Sequence, residues 1–137
     1  MLIANIPLET KPKKNSRIFN TKTHRSFPSK QYMEWHTAAK MFLTQQMRGK
    51  VFGECYIIMV FTHSDKRKRD ADNGVSSIFD TLKDAQIIED DNWQIIKSHH
   101  VFNTYCKDKP NCEIRIYMAN EGNEYLKDLI MYANRYY

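Results

Sequence analysis

The alternation of apolar and polar positions divides the chain into strands, helices and one long polar stretch. LIANIPL, residues 2 to 8, is a short apolar run that ends near a proline and reads as a strand. From Glu9 to Lys30 the sequence turns polar and basic, with Phe19 and Phe27 interleaved among the cations. Pro12 and Pro28 oppose regular helix there, so the segment reads as a long loop facing a partner. Ser29 is a good N-cap, and Tyr32, Trp35, Ala39, Phe42 and Leu43 then recur at helical spacing, which predicts a helix over residues 30 to 48. VFGECYIIMVFT is β-branched and aromatic with little alternation after Cys55, the pattern of a central strand covered on both faces.

After Asp72, the stripe Val75, Ile78, Phe79 and Leu82 predicts an amphipathic helix over residues 73 to 85. WQIIKSHHVFNTY and CEIRIYM then read as a β-hairpin about Pro110 and Asn111. Its last strand turns Cys112, Ile114, Ile116 and Met118 to one face, with Glu113, Arg115 and Tyr117 on the other. Leu126, Leu129, Ile130 and Ala133 mark a closing surface helix. This order predicts an α+β (mixed α/β) fold, a small mixed sheet with helices packed on it, in one domain over residues 1 to 137, with the strand pairing left open.

Composition narrows the class. A hydrophobic fraction of 42% in 137 residues is enough for a core. No apolar run approaches the roughly 20 residues that span a bilayer, and the start lacks the order of a secretion signal, so a cytoplasmic protein is expected. Cys55, Cys106 and Cys112 match no paired zinc motif and read as free thiols. Charge is unevenly spread: residues 1 to 69 hold 14 Lys and Arg against 4 acids, whereas the remainder holds 7 against 12. A basic surface beside concentrated carboxylates suits a polyanion bound near a metal ion.

The carboxylates sharpen that reading. Lys66, Arg67, Lys68 and Arg69 run into Asp70, Ala71, Asp72 and Asn73, and Asp90 and Asp91 follow the next helix. Asp70 and Asp72, two apart at a strand-to-helix junction, point the same way if the backbone there is extended. Mg²⁺, with Mn²⁺ as an alternative, takes oxygen ligands and needs only a few from protein. If Asp91 returns to join them, the three carboxylates should lie within about 5 Å of a common point. The competing reading makes these acids helix caps and turn residues.

At these residues the sequence resembles the RusA family of Holliday junction resolvases. The resemblance rests on Arg69-Asp70-Ala71-Asp72-Asn73, Asp80-Thr81-Leu82 in the helix, and the Asp90-Asp91 pair, and extends more weakly to PSKQYMEW and the basic stretch before it. It implies that Asp70, Asp72 and Asp91 are the catalytic metal ligands of an Mg²⁺-dependent homodimer that makes paired nicks in four-way DNA junctions, bacterial or phage-encoded. Lys11, Lys13, Lys14, Arg17 and Arg25 of the basic stretch (residues 9 to 30), with Lys66, Arg67, Lys68 and Arg69, are then the expected DNA contacts. Asp90 and Lys97 are expected in support of the site. The family usually carries a lysine four residues after the second aspartate, where this chain has Ser76. Lys97, Lys83 or the run from Lys66 to Arg69 are the candidate substitutes. His99 and His100 face opposite sides of a strand and cannot form one metal site, and Trp93 and Tyr105 read as core or interface residues. The alternatives are a branched-DNA-binding protein without catalysis, and a nuclease of flaps or forks.

Overall fold

The run Cys55–His63 forms the strand that organises the molecule. In the computed structural model, which describes residues 1 to 13 and 17 to 137, the elements are β1 (Leu2–Ile6), β2 (Arg17–Asn20), β3 (Arg25–Pro28), α1 (Lys30–Gln46), β4 (Cys55–His63), α2 (Ala71–Asp84), β5 (Ile96–Tyr105), β6 (Asn111–Met118) and α3 (Gly122–Tyr136). The main sheet has the order β1-β6-β4-β5, with β4 and β5 parallel and the other pairs antiparallel. The fold is α+β, as expected.

β4 lacks alternation because both its faces are covered. Ile57, Met59 and Phe61 join a core with Tyr32, Trp35, Ala39 and Leu43 of α1 and Ile78 and Leu82 of α2. Ile58 and Val60 face the other way, into a second core with Phe102, Tyr117, and Tyr125 and Tyr132 of α3. The faces of β6 divide as its alternation predicts, since Cys112, Ile114 and Ile116 enter the first core and Tyr117 the second. Ser29 caps α1, its Oγ accepting from the Tyr32 amide at 3.1 Å.

Two expectations are corrected. β5 and β6 do not form a hairpin: β4 lies between them, parallel to one and antiparallel to the other. Local turn chemistry at Pro110 and Asn111 is compatible with a direct return, but the apolar run of β4 needs a neighbour on each side, and the connection steps over it. The basic stretch is also more ordered than a loop, because β2 and β3 pair as a separate hairpin. Asn20 Oδ1 accepts from the amides of Lys22 and Thr23 at 2.9 and 3.3 Å, and His24 takes φ +54°, so a side-chain-built turn replaces the glycine turn that alternation searches look for.

Candidate metal and DNA site

The parallel pair β4 and β5 with α2 crossing between them fixes where the acidic groups go. The chain leaves the C-terminal end of β4 through residues 64 to 70 and enters α2 beside a cavity of about 660 Å³ lined by Phe61, His63, Lys66, Arg69, Asp70 and Tyr105 among others. Crevices beyond the C-terminal ends of parallel strands are the usual ligand sites of such units. Gly74 in the first turns of α2 makes the close approach possible: a Cβ there would lie 3.2 Å from Phe61 Cε1.

Asp70 occupies the N-cap position of α2, yet its side chain makes no capping hydrogen bond. Instead Asp70 Oδ2 accepts from Asn73 Nδ2 at 3.2 Å. Asp72 lies in the first helical turn, so the pair is not two alternate positions of an extended segment, as the sequence suggested. The two carboxylates still leave the same end of the helix.

The neighbouring cations are partly held by acids of this chain. Arg69 Nη1 lies 2.9 Å from Asp65 and its Nη2 3.3 Å from Glu9, while Arg67 pairs with Asp65 at 3.1 Å. These guanidiniums, Arg69 first and then Arg67, hold the Asp65 carboxyl well below the usual carboxylate range. Glu9 also meets His63 Nδ1 at 3.0 Å and accepts from the Ser64 amide, which ties the residues after β1 to the end of β4. Lys66 lies over the Tyr105 ring, 5.0 Å from its centroid. Of the basic stretch, Lys13 Nζ is 3.3 Å from Asp80, and the Lys11 carbonyl accepts from Ser77 Oγ at 2.7 Å. Lys14 and the side chain of Arg17 lie outside the described residues.

Asp91 is at the other end of α2. Its carboxylate is 4.0 Å from Lys83 Nζ, and that of Asp90 is 3.2 Å away. Lys83 stands in the last turn of a 14-residue helix that begins one residue after Asp70, a span of roughly 20 Å. The Asp91 amide, the Lys83 ammonium and the Asn92 side chain draw the Asp90 carboxyl down to about 2. The expected meeting of Asp70, Asp72 and Asp91 at one point within the chain is therefore corrected. Because β5 runs parallel to β4, residues just before β5 enter at the edge opposite to the one where β4 ends.

Lys97 belongs to this second end, 3.8 Å from Glu54 and 5.2 Å from the Trp93 ring centroid. Trp93 is 74% exposed and Tyr105 46%, so neither is a core residue. His99 and His100 do face opposite ways, His99 edge-on to Phe79 of α2 and His100 bonded to Tyr137 beyond α3.

Sequence reasoning missed one cluster. His36, Asp80 and Asp84 bring potential ligand atoms within 4.8 Å of one another. Thr81 Oγ, which donates to the Ser77 carbonyl, and Tyr32 Oη, which donates to Asp80, lie 3.0 and 3.3 Å from His36 Nδ1. His36 Nε2 meets Asp84 at 2.9 Å. Only the spacing of Asp80 and Asp84 hinted at this, since His36 comes from a different helix.

A family model described as endodeoxyribonuclease RusA matches residues 7 to 117. The chain belongs to the RusA endodeoxyribonuclease family, the resolvase family that its acidic motifs resemble. The match spans both acidic ends of α2, and the class it defines is a nuclease that acts on Holliday junctions. No curated protein matches the chain.

Proposed function

We propose that this protein is an Mg²⁺-dependent resolvase of four-way DNA junctions in recombination and repair, and that its metal site is assembled between two copies of the chain. The observation that carries the reading is the N-cap aspartate that does not cap: the Asp70 carboxylate makes no bond to the helix amides and accepts instead from the Asn73 side chain, two residues from Asp72 and beside a cationic rim. Asp70, Asp72 and Asp91 offer oxygen donors only, the set a hard cation prefers.

One protomer holds these donors at opposite ends of α2, and a two-fold dimer removes the separation. β5 has β4 on one side and no strand on the other among the described residues. A ten-residue edge of this kind is a template for pairing. Antiparallel pairing of β5 with its mate would set the start of one β5 against the end of the other, carrying Asp91 of each copy toward Asp70 and Asp72 of its partner. Charge favours the same arrangement. The rim from Lys66 to Arg69 would face the acidic end formed by Glu89, Asp90 and Asp91.

In that site Asp70 and Asp72 of one copy and Asp91 of the other would hold the ion, with Lys83 and the Asp91 amide fixing the Asp90–Asp91 turn. Bound Mg²⁺ would activate a water and neutralise charge on the scissile phosphate. Lys83, arriving with Asp91, would bring an ammonium to the place that Ser76 leaves without one. Lys66 and Lys68 would contact flanking phosphates, with Arg67 and Arg69 held ready by Asp65 and Glu9.

The test is cleavage of four-way junctions, flaps, forks and linear duplex side by side, with Mg²⁺ or with chelator. Paired nicks in the junction alone, lost with chelator and in Asp70→Asn although binding persists, are expected. Scission that survives chelator or Asp70→Asn overturns the proposal, and binding without any cut identifies a junction-binding protein.

A further inference from the structure

Among the described residues, the β2–β3 hairpin gives no side chain to either core. Cross-strand partners Ile18 and Phe27 share one face, and Phe19, opposite Ser26, lies on the other. All three are exposed, at 46%, 44% and 59%. A hairpin packed on the body would bury one face, and this one presents apolar surface from both. Two-stranded hairpins are marginal in water on their own, so a hydrocarbon surface on each side calls for something to be placed on each side.

Charge identifies the class of partner. Lys22, His24 and Arg25 surround the tip, and no acidic residue occurs between Glu9 and Glu34. That surface repels a second copy of itself and attracts phosphate. The interior of a linear duplex offers phosphate but no open base-pair face, and its ends are matched by the arm ends of a junction, whereas a junction opened at its centre adds base-pair faces framed by phosphates.

We propose that this hairpin is a two-faced wedge that enters the branch point, stacking Phe19 on the terminal base pair of one arm and Phe27 with Ile18 on that of the next. The proposal rests on the resolvase reading and adds to it the group that selects a junction over a duplex. The tip cations hold the phosphates where the strands cross, and the aromatic faces replace stacking lost when the arms part.

The experiment compares dissociation constants for a four-way junction and a linear duplex of equal arm length, with Mg²⁺ withheld so that nothing is cut. Phe19→Ala with Phe27→Ala is expected to lower the junction-over-duplex ratio by about tenfold or more, with duplex affinity and the unfolding midpoint unchanged. Phe19→Trp with Phe27→Trp should keep the ratio. An unchanged ratio in the alanine variant overturns the wedge, as does a change in its oligomeric state by sedimentation, which would make these aromatics a contact between copies. If the unsubstituted protein binds junction no better than duplex, the resolvase reading falls as well, whereas a junction preference that the variant retains removes the wedge alone.

Discussion

Asp91 lies 4.0 Å from Lys83, at the end of α2 remote from Asp70. If the site forms between copies, Asp70→Asn and Asp91→Asn are each inactive alone but complement when mixed. A mixed dimer then has one site with both losses and one with neither, and random pairing at equal concentrations restores roughly a quarter of the sites. The products should be single nicks on a supercoiled plasmid bearing an extruded cruciform. Zero activity after subunit exchange contradicts a shared site.

Gly74 lets the first turns of α2 approach Phe61, with only 3.2 Å for any added carbon. Phe61 is 3% exposed and belongs to the central strand, so its ring can shift only by giving up core contacts for the neighbouring cavity. Gly74→Val should destabilise the protein by about 1–3 kcal/mol through overpacking, measured as a lower urea midpoint at constant slope.

Tyr32 is 1% exposed and donates to Asp80 at 3.1 Å. Burial, together with the Asp80 charge, keeps its hydroxyl protonated far above the ordinary tyrosine range. Tyr32→Phe should cost about 1 kcal/mol, and Asp80→Ala about 1–3 kcal/mol because a buried donor then loses its charged acceptor. Chemical denaturation of the two variants checks the order.

His99 packs edge-on against Phe79, and this partial desolvation of an otherwise exposed ring, reinforced by neighbouring His100, lowers its pKa from the ordinary 6.5. A histidine with a depressed folded value contributes stability present above 6.5 and lost as pH falls toward the folded value, since the unfolded chain binds the proton first. The urea midpoint should therefore decline on acidification below about 6.5, and His99→Gln should remove part of that decline. An identical pH profile in the variant contradicts this role.

The elements were legible wherever burial imposes a period. The stripe of α2, the alternation of β6 and the continuous apolar run of β4 each reflect a covered face, and each appears where the pattern placed it. Pairing was not legible, because the residues around Pro110 and Asn111 are compatible with either a direct return or a step across β4. The four-residue strands beside Asn20 were too short to show alternation. For the site, residue types were readable but convergence was not. Asp70 and Asp91 bracket a helix, and only the direction of β5 decides whether they meet within one chain.

The exposed edge of β5 bears on dosage. On the proposed reading, a hydrolytic centre that exists only where two such edges join varies with the square of abundance while the chain is scarce. A cell holding few molecules would have them occupy branched DNA intact, and scission would begin once expression rises past the dimerisation threshold.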